Sequence, residues 1–412
     1  VFYPRIPQIY NSTVELENGT HQHLFLDNGQ ANQRPFFPAY PRPLVTCLSG
    51  APECAAPTNV AQFLSTDLSA FARDFQMPYV LQGSLSAEKR VAPRTDVTLS
   101  YLFVGGRHLI RARDVNLPKP QLVRYPIYDP NGVFTGNFYS VASFGTIQNV
   151  ALPITCPIAP CINDAVRPNP KLGAVNVFES VASSTYHGFT LSVQKRFAQS
   201  FSARLGYTYA KALDDTQDAL VAGRPTVVEN SLNTKNERAL SVVDQRQRFV
   251  SSFITEPNPF GRDHAVLSAI LNDWKFSGIF SAGSGRPLTG HVDGDANRDG
   301  NVDNDRLPGA RRNSFIGPDY FSGEARLTRR FHLTEQWRLE ATAEAFNVFN
   351  QRNDRVNTSD DGFSSTAASF VALSTTAAGN KYPARFQQTT GFLAPTNAYA
   401  PRQVQFSLRL KW

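Results

Sequence analysis

Between Phe189 and Tyr209 the side chains change character at every second position. Phe189, Leu191 and Val193 alternate with Thr190, Ser192 and Gln194. After the break Ala198, Gln199, Ser200 the alternation resumes, with Phe201, Ala203, Leu205, Tyr207 and Tyr209 on one face and Ser202, Arg204, Gly206 and Thr208 on the other. A period of two is that of a strand, whose side chains point alternately to opposite faces; a helix would scatter these residues around its circumference. Two such runs across a tight turn predict a β-hairpin with one apolar and one polar face.

The pattern recurs. It runs through Tyr79, Leu81, Gly83, Leu85, Ala87; through Val97, Leu99, Tyr101, Phe103; through Trp274, Phe276, Gly278, Phe280; and through Trp337, Leu339, Ala341, Ala343. Val404, Phe406, Leu408, Leu410 and Trp412 carry it to the last residue. Each run is about ten residues, which is what a tilted strand needs to cross a bilayer. Composition points the same way, since 30 Phe, 14 Tyr, 26 Gly and 28 Pro beside a single Met suit strands and turns. No apolar run reaches the roughly 18 residues of a membrane helix. A strand-built membrane protein stays compatible with a mean hydropathy of −0.30, because only alternate residues meet lipid.

Three strands finish on a basic pair and an apolar residue: Lys89, Arg90, Val91; Lys195, Arg196, Phe197; and Arg329, Arg330, Phe331. The first basic residue of each is in phase with the apolar face. There a charge costs roughly 2–4 kcal/mol at mid-bilayer but about 0–1 near the interface, so these positions belong at the membrane boundary. With these ends on one side, short links follow Val91, Phe197, Phe331 and, less tightly, Thr255. The links 28–77, 110–186, 212–245, 283–319 and 350–401 are long, and the two classes alternate. Outer-membrane barrels have short periplasmic turns and long extracellular loops, which would place Trp412 at the periplasmic end. Counting residues 1–6, about ten membrane strands result, with two more if 138–144 and 174–180 form a further pair. A soluble all-β sandwich also alternates. The loop asymmetry, strand length and aromatic terminus favour an all-β, antiparallel transmembrane barrel.

At these hairpins the sequence resembles the Oar-like TonB-dependent receptors of the bacterial outer membrane, in the C-terminal part of their barrel. The resemblance is carried by LSYLFVGGRHLIRARDVN from Leu99, STYHGFTLSVQKRFAQSFSARLGYTYAKALDD from Ser184, DQRQRFVSSF from Asp244, and DWKFSGIFSAGSGRPLT from Asp273. DANRDGNVDNDR from Asp295, RLEATAEAFNVFNQ from Arg338 and PRQVQFSLRLKW from Pro401 continue it, and VFYPRIP at the start resembles the latter half of a family strand. Each motif is weak alone; their order and spacing give the match its specificity. It implies a large barrel with an N-terminal plug, a TonB-contacting segment, and ligand uptake at the extracellular face driven through TonB. On this reading residues 1–412 are the C-terminal part of one barrel domain, with the plug and the earlier strands absent. Outer-membrane lipid, the TonB system and an extracellular ligand of unknown identity are then the expected partners.

The densest chemistry lies in residues 293–306. Asp295, Asn297 and Asp299 at i, i+2 and i+4, then Gly300, Asn301 and Asp303, match the start of an EF-hand-like calcium loop. The twelfth position, normally a bidentate acid, is Arg306, and Asp293 or Asp305 would have to supply the missing oxygens. A calcium-stabilised loop and a solvated acidic turn stand as equal alternatives. The four cysteines form two local pairs in expected extracellular loops. Proximity favours the disulfides Cys47–Cys54 and Cys156–Cys161, in keeping with an oxidising compartment, over a zinc site.

The net charge of +7 does not mark a nucleic-acid binder, because the basic residues are spread over strand ends and lumen-facing positions such as Arg196, Arg204 and Arg409. Asp214, Asp215 and Asp218 would bind a cation or, more simply, form a solvated rim. His21 and His23 share a strand face but lack a third ligand nearby, and Arg107 and His108 after Gly105 and Gly106 read as a turn where a strand exits to a loop. No G-x-S-x-G, P-loop, H-E-x-x-H or Rossmann fingerprint is present, so no enzyme is indicated. The chain starts at Val1 with no signal-peptide pattern, as a mature product or a fragment would. Two further expectations stand beside the receptor: a self-contained outer-membrane barrel with a structural, porin-like or adhesive role, and a secreted calcium-stabilised β protein.

Overall fold

Consecutive strands of alternating pattern pair with their sequence neighbours and build one antiparallel wall. The computed structural model describes residues 66–412 apart from 149–160, 164, 171, 199, 217–219, 222–223, 226, 260–266, 268–269, 335, 356–363, 373–381 and 396. The wall consists of β1 (Tyr79–Ala92), β2 (Thr95–Asp114), β3 (Leu172–Ala198), β4 (Phe201–Asp214), β5 (Gln247–Thr255), β6 (Trp274–Gly283), β7 (Tyr320–His332), β8 (Arg338–Phe346) and β9 (Gln403–Lys411), adjacent in that order. No described helix is long and apolar enough to cross a membrane.

Register keeps the two faces distinct across strands. Ala87, Leu99, Leu191, Tyr207, Phe249, Ala282 and Phe321 form one continuous rung. The next rung but one, Leu85, Tyr101, Phe189 and Tyr209, lies on the same side. Between them Ser86, Ser100, Thr190 and Thr208 occupy the opposite face. A register slip of one residue anywhere would turn the aromatic rungs to the polar side, so the pattern itself fixes the pairing.

The basic pairs at the strand ends divide between the faces. Lys89 pairs with Val97 on the apolar side, as expected, while Arg90 and Arg196 point the other way and close on Asp96 at 2.9 and 2.8 Å. At the third end Arg329 lies over the Trp274 ring, 4.8 Å from its centroid, and Arg330 reaches Glu256 at 3.1 Å. Trp337 and Trp412 pack nearby as a tilted pair with ring centroids 5.9 Å apart. Apolar faces at this margin thus end in aromatic and cationic groups, and polar faces end in ion pairs. Arg94 and Ser200, with φ of 57° and 65°, make the tight turns here.

At the opposite margin β2 and β3 do not stop. At about 3.3 Å per residue β3 is roughly 90 Å long, several times the ~25 Å apolar band of such a wall. The pair continues through register shifts between Gly106, Leu109 and Arg111 to Asp114↔Asn176, and Thr66–Phe71 joins β3 in parallel. Arg107 and His108 therefore sit at a bulge inside a continuing strand, because the partner strand supplies ladder bonds past the point where the apolar alternation ends. Residues 174–180 belong to this extension, and residues 138–144 fall mostly in a separate sheet. The expected additional membrane pair is corrected accordingly.

That separate sheet has six strands in the order Phe315–Ile316, Pro287–Asp293, Ser364–Ala372, Ala384–Gln388, Gln121–Tyr128, Phe134–Ser143. They come from three different long links. Two of the pairings are parallel, Pro287–Asp293 on Ser364–Ala372 and Ala384–Gln388 on Gln121–Tyr128. The main buried cluster lies here, with Tyr125, Val141, Val292, Ala296, Ala368, Phe370, Ala384 and Phe386. The wall is a single layer without a core of its own, and β9 is exposed along its length. Among the described residues neither β1 nor β9 has a strand on its outer side.

Candidate functional site

The acidic loop leaves the strand Pro287–Asp293 at Gly294 and folds on its own side chains. Asp295 accepts hydrogen bonds from the N–H of Asp299 at 3.2 Å and of Gly300 at 3.0 Å. Asn297 Oδ1 accepts from the Asp299 N–H at 2.9 Å, Asp299 Oδ1 from Asn301 at 2.7 Å and Asn301 Oδ1 from Asp303 at 3.0 Å. This staircase follows from the i, i+2, i+4 spacing, because Asp and Asn side chains readily bond the backbone two residues on. Gly294 and Gly300, at φ of 110° and 91°, supply the left-handed turns. Asp305 closes the circuit by accepting the Asn297 N–H at 3.0 Å.

The base of the loop is buried while its tip, Gly300, Val302 and Asp303, is exposed. Asn297, Asp299 and Asp305 are 2%, 4% and 1% exposed. Burial pushes the Asp305 carboxyl up to about 9, with Asp295, Asp299 and Glu229 adding like-charge repulsion. Burial likewise pushes Asp299 up to about 7, against hydrogen bonds that hold it lower. Neither has a Lys or Arg partner among the described residues, and Asp305 Oδ2 is buried without a hydrogen bond.

Arg306 turns away from the loop it terminates. Its guanidinium reaches Glu229 at 2.8 Å and Glu237 at 2.5 Å. Burial pushes Glu229 up and Arg306 opposes it. Beside this pair Arg312 bonds Asp214 and donates to the Glu237 carbonyl at 3.1 Å. The position that should hold the twelfth ligand of an EF-hand therefore carries a cation committed to two other carboxylates.

All four long links described meet at this loop. Asn297 Nδ2 donates to the Glu229 carbonyl at 2.9 Å, and Arg167 donates to the Asp299 carbonyl at 2.8 Å while pairing with Asp114. The Phe144 N–H bonds the Asn297 carbonyl at 2.7 Å, and Arg298 lies 5.5 Å over the Phe370 ring. Glu229, Glu237 and Arg167 carry no spacing relation to the acidic run, so no sequence signal marks them.

Asp293 lies at the end of its strand, and Asp303 stays at the outer turn, bonded through its N–H to Asn301. Among the described residues no three Asp, Glu, His or Cys side chains stand close enough to cage a metal unaided. The oxygens gathered here are mixed: carboxylate, Asn amide and main-chain carbonyl. Asp214 and Asp215 are engaged by Arg312 and Arg238, so they form structural pairs and not a solvated rim. Cys47, Cys54, Cys156, His21, His23 and Asp218 lie outside the described residues, and Cys161 is described only as backbone of the short strand Cys161–Asn163. On the polar face of the wall Glu88, Asp96, Gln194, Arg196 and Arg204 line a cleft of about 420 Å³ near the short-turn margin.

A single-layer antiparallel wall with an aromatic face, short turns on one margin and elaborated links on the other defines an outer-membrane β-barrel protein. Residues 1–311, more than half of the chain, match the family described as outer membrane beta barrel domain, and the chain belongs to that family. No curated protein matches the sequence. Among solved structures, the outer membrane transporter YddB from Escherichia coli aligns over 73% of this chain and 32% of its own, with 8% identity and a TM-score of 0.37. The FrpB iron transporter from Neisseria meningitidis aligns over 84% and 33%, with 10% identity and a TM-score of 0.37. A mutant of the ferric enterobactin receptor PfeA from Pseudomonas aeruginosa aligns over 82% and 31%, with 10% identity and a TM-score of 0.38. The chain spans about a third of the length of these proteins.

Proposed function

We propose that the chain is wall and outer cap of a TonB-dependent receptor of the Oar-like kind, serving ligand uptake at the bacterial surface. The observation that carries this reading is the open wall: nine strands whose end strands β1 and β9 have no outer neighbour among the described residues. Lipid does not tolerate open edges, so further strands must close the ring. Around 22 strands would make a lumen wide enough for a plug. The motifs shared with the Oar-like receptors, from LSYLFVGG to the terminal PRQVQFSLRLKW, supply the finer assignment. The long links face the cell exterior, the short turns the periplasm, and inner-membrane energy reaches a plug through TonB. The extracellular cap would be held by Cys47–Cys54 and Cys156–Cys161 and contact the ligand. The chain does no covalent chemistry on it.

The test is mass spectrometry of the protein extracted from outer membranes, followed by reconstitution of the 412-residue chain. A species well beyond 412 residues that yields plug peptides supports the receptor. A 412-residue species that closes into a heat-modifiable barrel and conducts ions alone overturns it in favour of a self-contained porin-like protein.

A further inference from the structure

We propose that Asp295, Asn297, Asp299 and Asp305 form a calcium site whose occupancy locks the four long links into one cap. The inference concerns a resident structural ion and is independent of which ligand the barrel handles.

Spacing alone would leave a solvated turn as an equal explanation, and three observations remove it. First, three of the loop's side chains are interior: Asn297, Asp299 and Asp305 are all at most 4% exposed. A buried carboxylate needs a cation, a proton or a full set of donors. Second, Asp305 is 1% exposed, and its Oδ2 has no hydrogen-bond partner, in the field of Asp295, Asp299 and Glu229. A buried carboxylate oxygen of this kind takes either a proton or a metal ion. Third, Arg306, at the position of the twelfth ligand, is committed to Glu229 and Glu237 and leaves these acids alone.

The donor set fits a hard, oxygen-seeking ion. Calcium accepts six to eight oxygens of mixed type, including Asn amides and main-chain carbonyls, in a flexible shell. That suits a loop where carboxylates alone do not converge into a cage. Magnesium demands a tighter octahedron and keeps its waters, so it fits less well. The Asn301 N–H on Oδ1 and the Asn304 and Asn297 amides on Oδ2 fix the orientation of the Asp299 carboxylate. Asp305, two residues beyond the ninth position, takes the part that the twelfth residue plays in a helical EF-hand.

The ion would act on the whole cap because the ligand loop bonds the links carrying Phe144, Arg167, Glu229 and Phe370. At a calcium concentration 100 times the dissociation constant, opening of this unit is suppressed about 100-fold, and protease cleavage of the cap slows by the same factor.

The experiment uses the full chain in detergent, stripped with EDTA and dialysed. Calorimetric titration with CaCl2 should show one ion per chain, and limited proteolysis should be slowed by CaCl2 far more than by MgCl2. Asp305→Asn keeps the shape of the side chain and removes its charge. It should remain folded without calcium, as judged by heat-modifiability, and lose both the calorimetric signal and the calcium protection. Glu237→Gln, outside the proposed ligand set, should weaken the cap yet still bind one ion. Absence of a calcium signal in the wild-type chain, or undiminished binding by Asp305→Asn, overturns the proposal.

Discussion

The Arg306 guanidinium and the Glu237 carboxylate, 69 residues apart in sequence, meet at 2.5 Å with both side chains almost wholly buried. Glu229 joins them at 2.8 Å on the same nitrogen, Nη2, and accepts from Nε at 2.9 Å. Replacing Arg306 by Met would leave two buried carboxylates facing one another, a loss of about 3–5 kcal/mol for a broken buried pair. Arg306→Met should therefore expose the link carrying Glu229 and Glu237 to protease, and adding Glu237→Gln should return part of the protection. Equal cleavage of the single variant and the wild type would show the pair to be dispensable.

A pH dependence follows from Asp299 and Asp305. Burial raises both above the ordinary aspartate value of 3.8, to about 7 and about 9. The folded cap holds protons that the unfolded chain releases, so this contribution is full below about pH 4 and is lost as pH rises through about 7 and then about 9. In EDTA, the rate at which protease cuts the cap should climb between pH 5 and pH 9. A flat profile would contradict the assignment.

Gly285, just beyond β6, lies where a Cβ would come within 1.7 Å of the Gly317 carbonyl oxygen. Both groups are backbone and cannot swing aside. Gly285→Ala should cost about 1–3 kcal/mol, as overpacking does, and lower the temperature at which the barrel loses heat-modifiability. Gly132→Ala is a poor comparison because its φ is positive; Gly83→Ala, with open space around it, is the suitable control and should be silent.

Orientation is tested by labelling. Val302 in the acidic loop and Leu333 in the β7–β8 turn are each 57% exposed. On intact cells a membrane-impermeant maleimide should label Val302→Cys and leave Leu333→Cys unmodified until the outer membrane is permeabilised. The reverse pattern would invert the barrel.

Peptide mapping under non-reducing conditions should recover Cys47 linked to Cys54 and Cys156 linked to Cys161. A Cys47–Cys161 peptide, or four alkylated thiols, would refute that pairing.

The wall was readable because each strand announces its own two faces. Phe189 to Tyr209 reveals a hairpin without reference to any distant residue, and the turn at Ser200 falls where the alternation breaks. The six-stranded sheet was hidden for the opposite reason. Strands such as Ala384–Gln388 are short, and their partners in Gln121–Tyr128 lie more than 250 residues away in parallel register, which no local period encodes. The acidic loop shows both limits at once. The spacing of Asp295, Asn297 and Asp299 foretold the turn, whereas the role of Arg306 depended on Glu229 and Glu237. Read alone it looked like a defect in a metal loop; in the fold it is the clasp behind it.

Loops on the rim of a barrel ordinarily lengthen and shorten independently over evolutionary time. Here strands from three of them lie side by side, with parallel pairings that cross from one loop to another. An insertion in any one shifts the register of its neighbours and the buried ring packing of Tyr125, Phe370 and Phe386. Variation is thereby steered toward substitutions at outward positions such as Leu122 and Val133, which are 76% and 62% exposed, and away from changes of length. A change of length in one link is therefore felt by all three, whereas a substitution on the outward surface leaves the shared sheet in place.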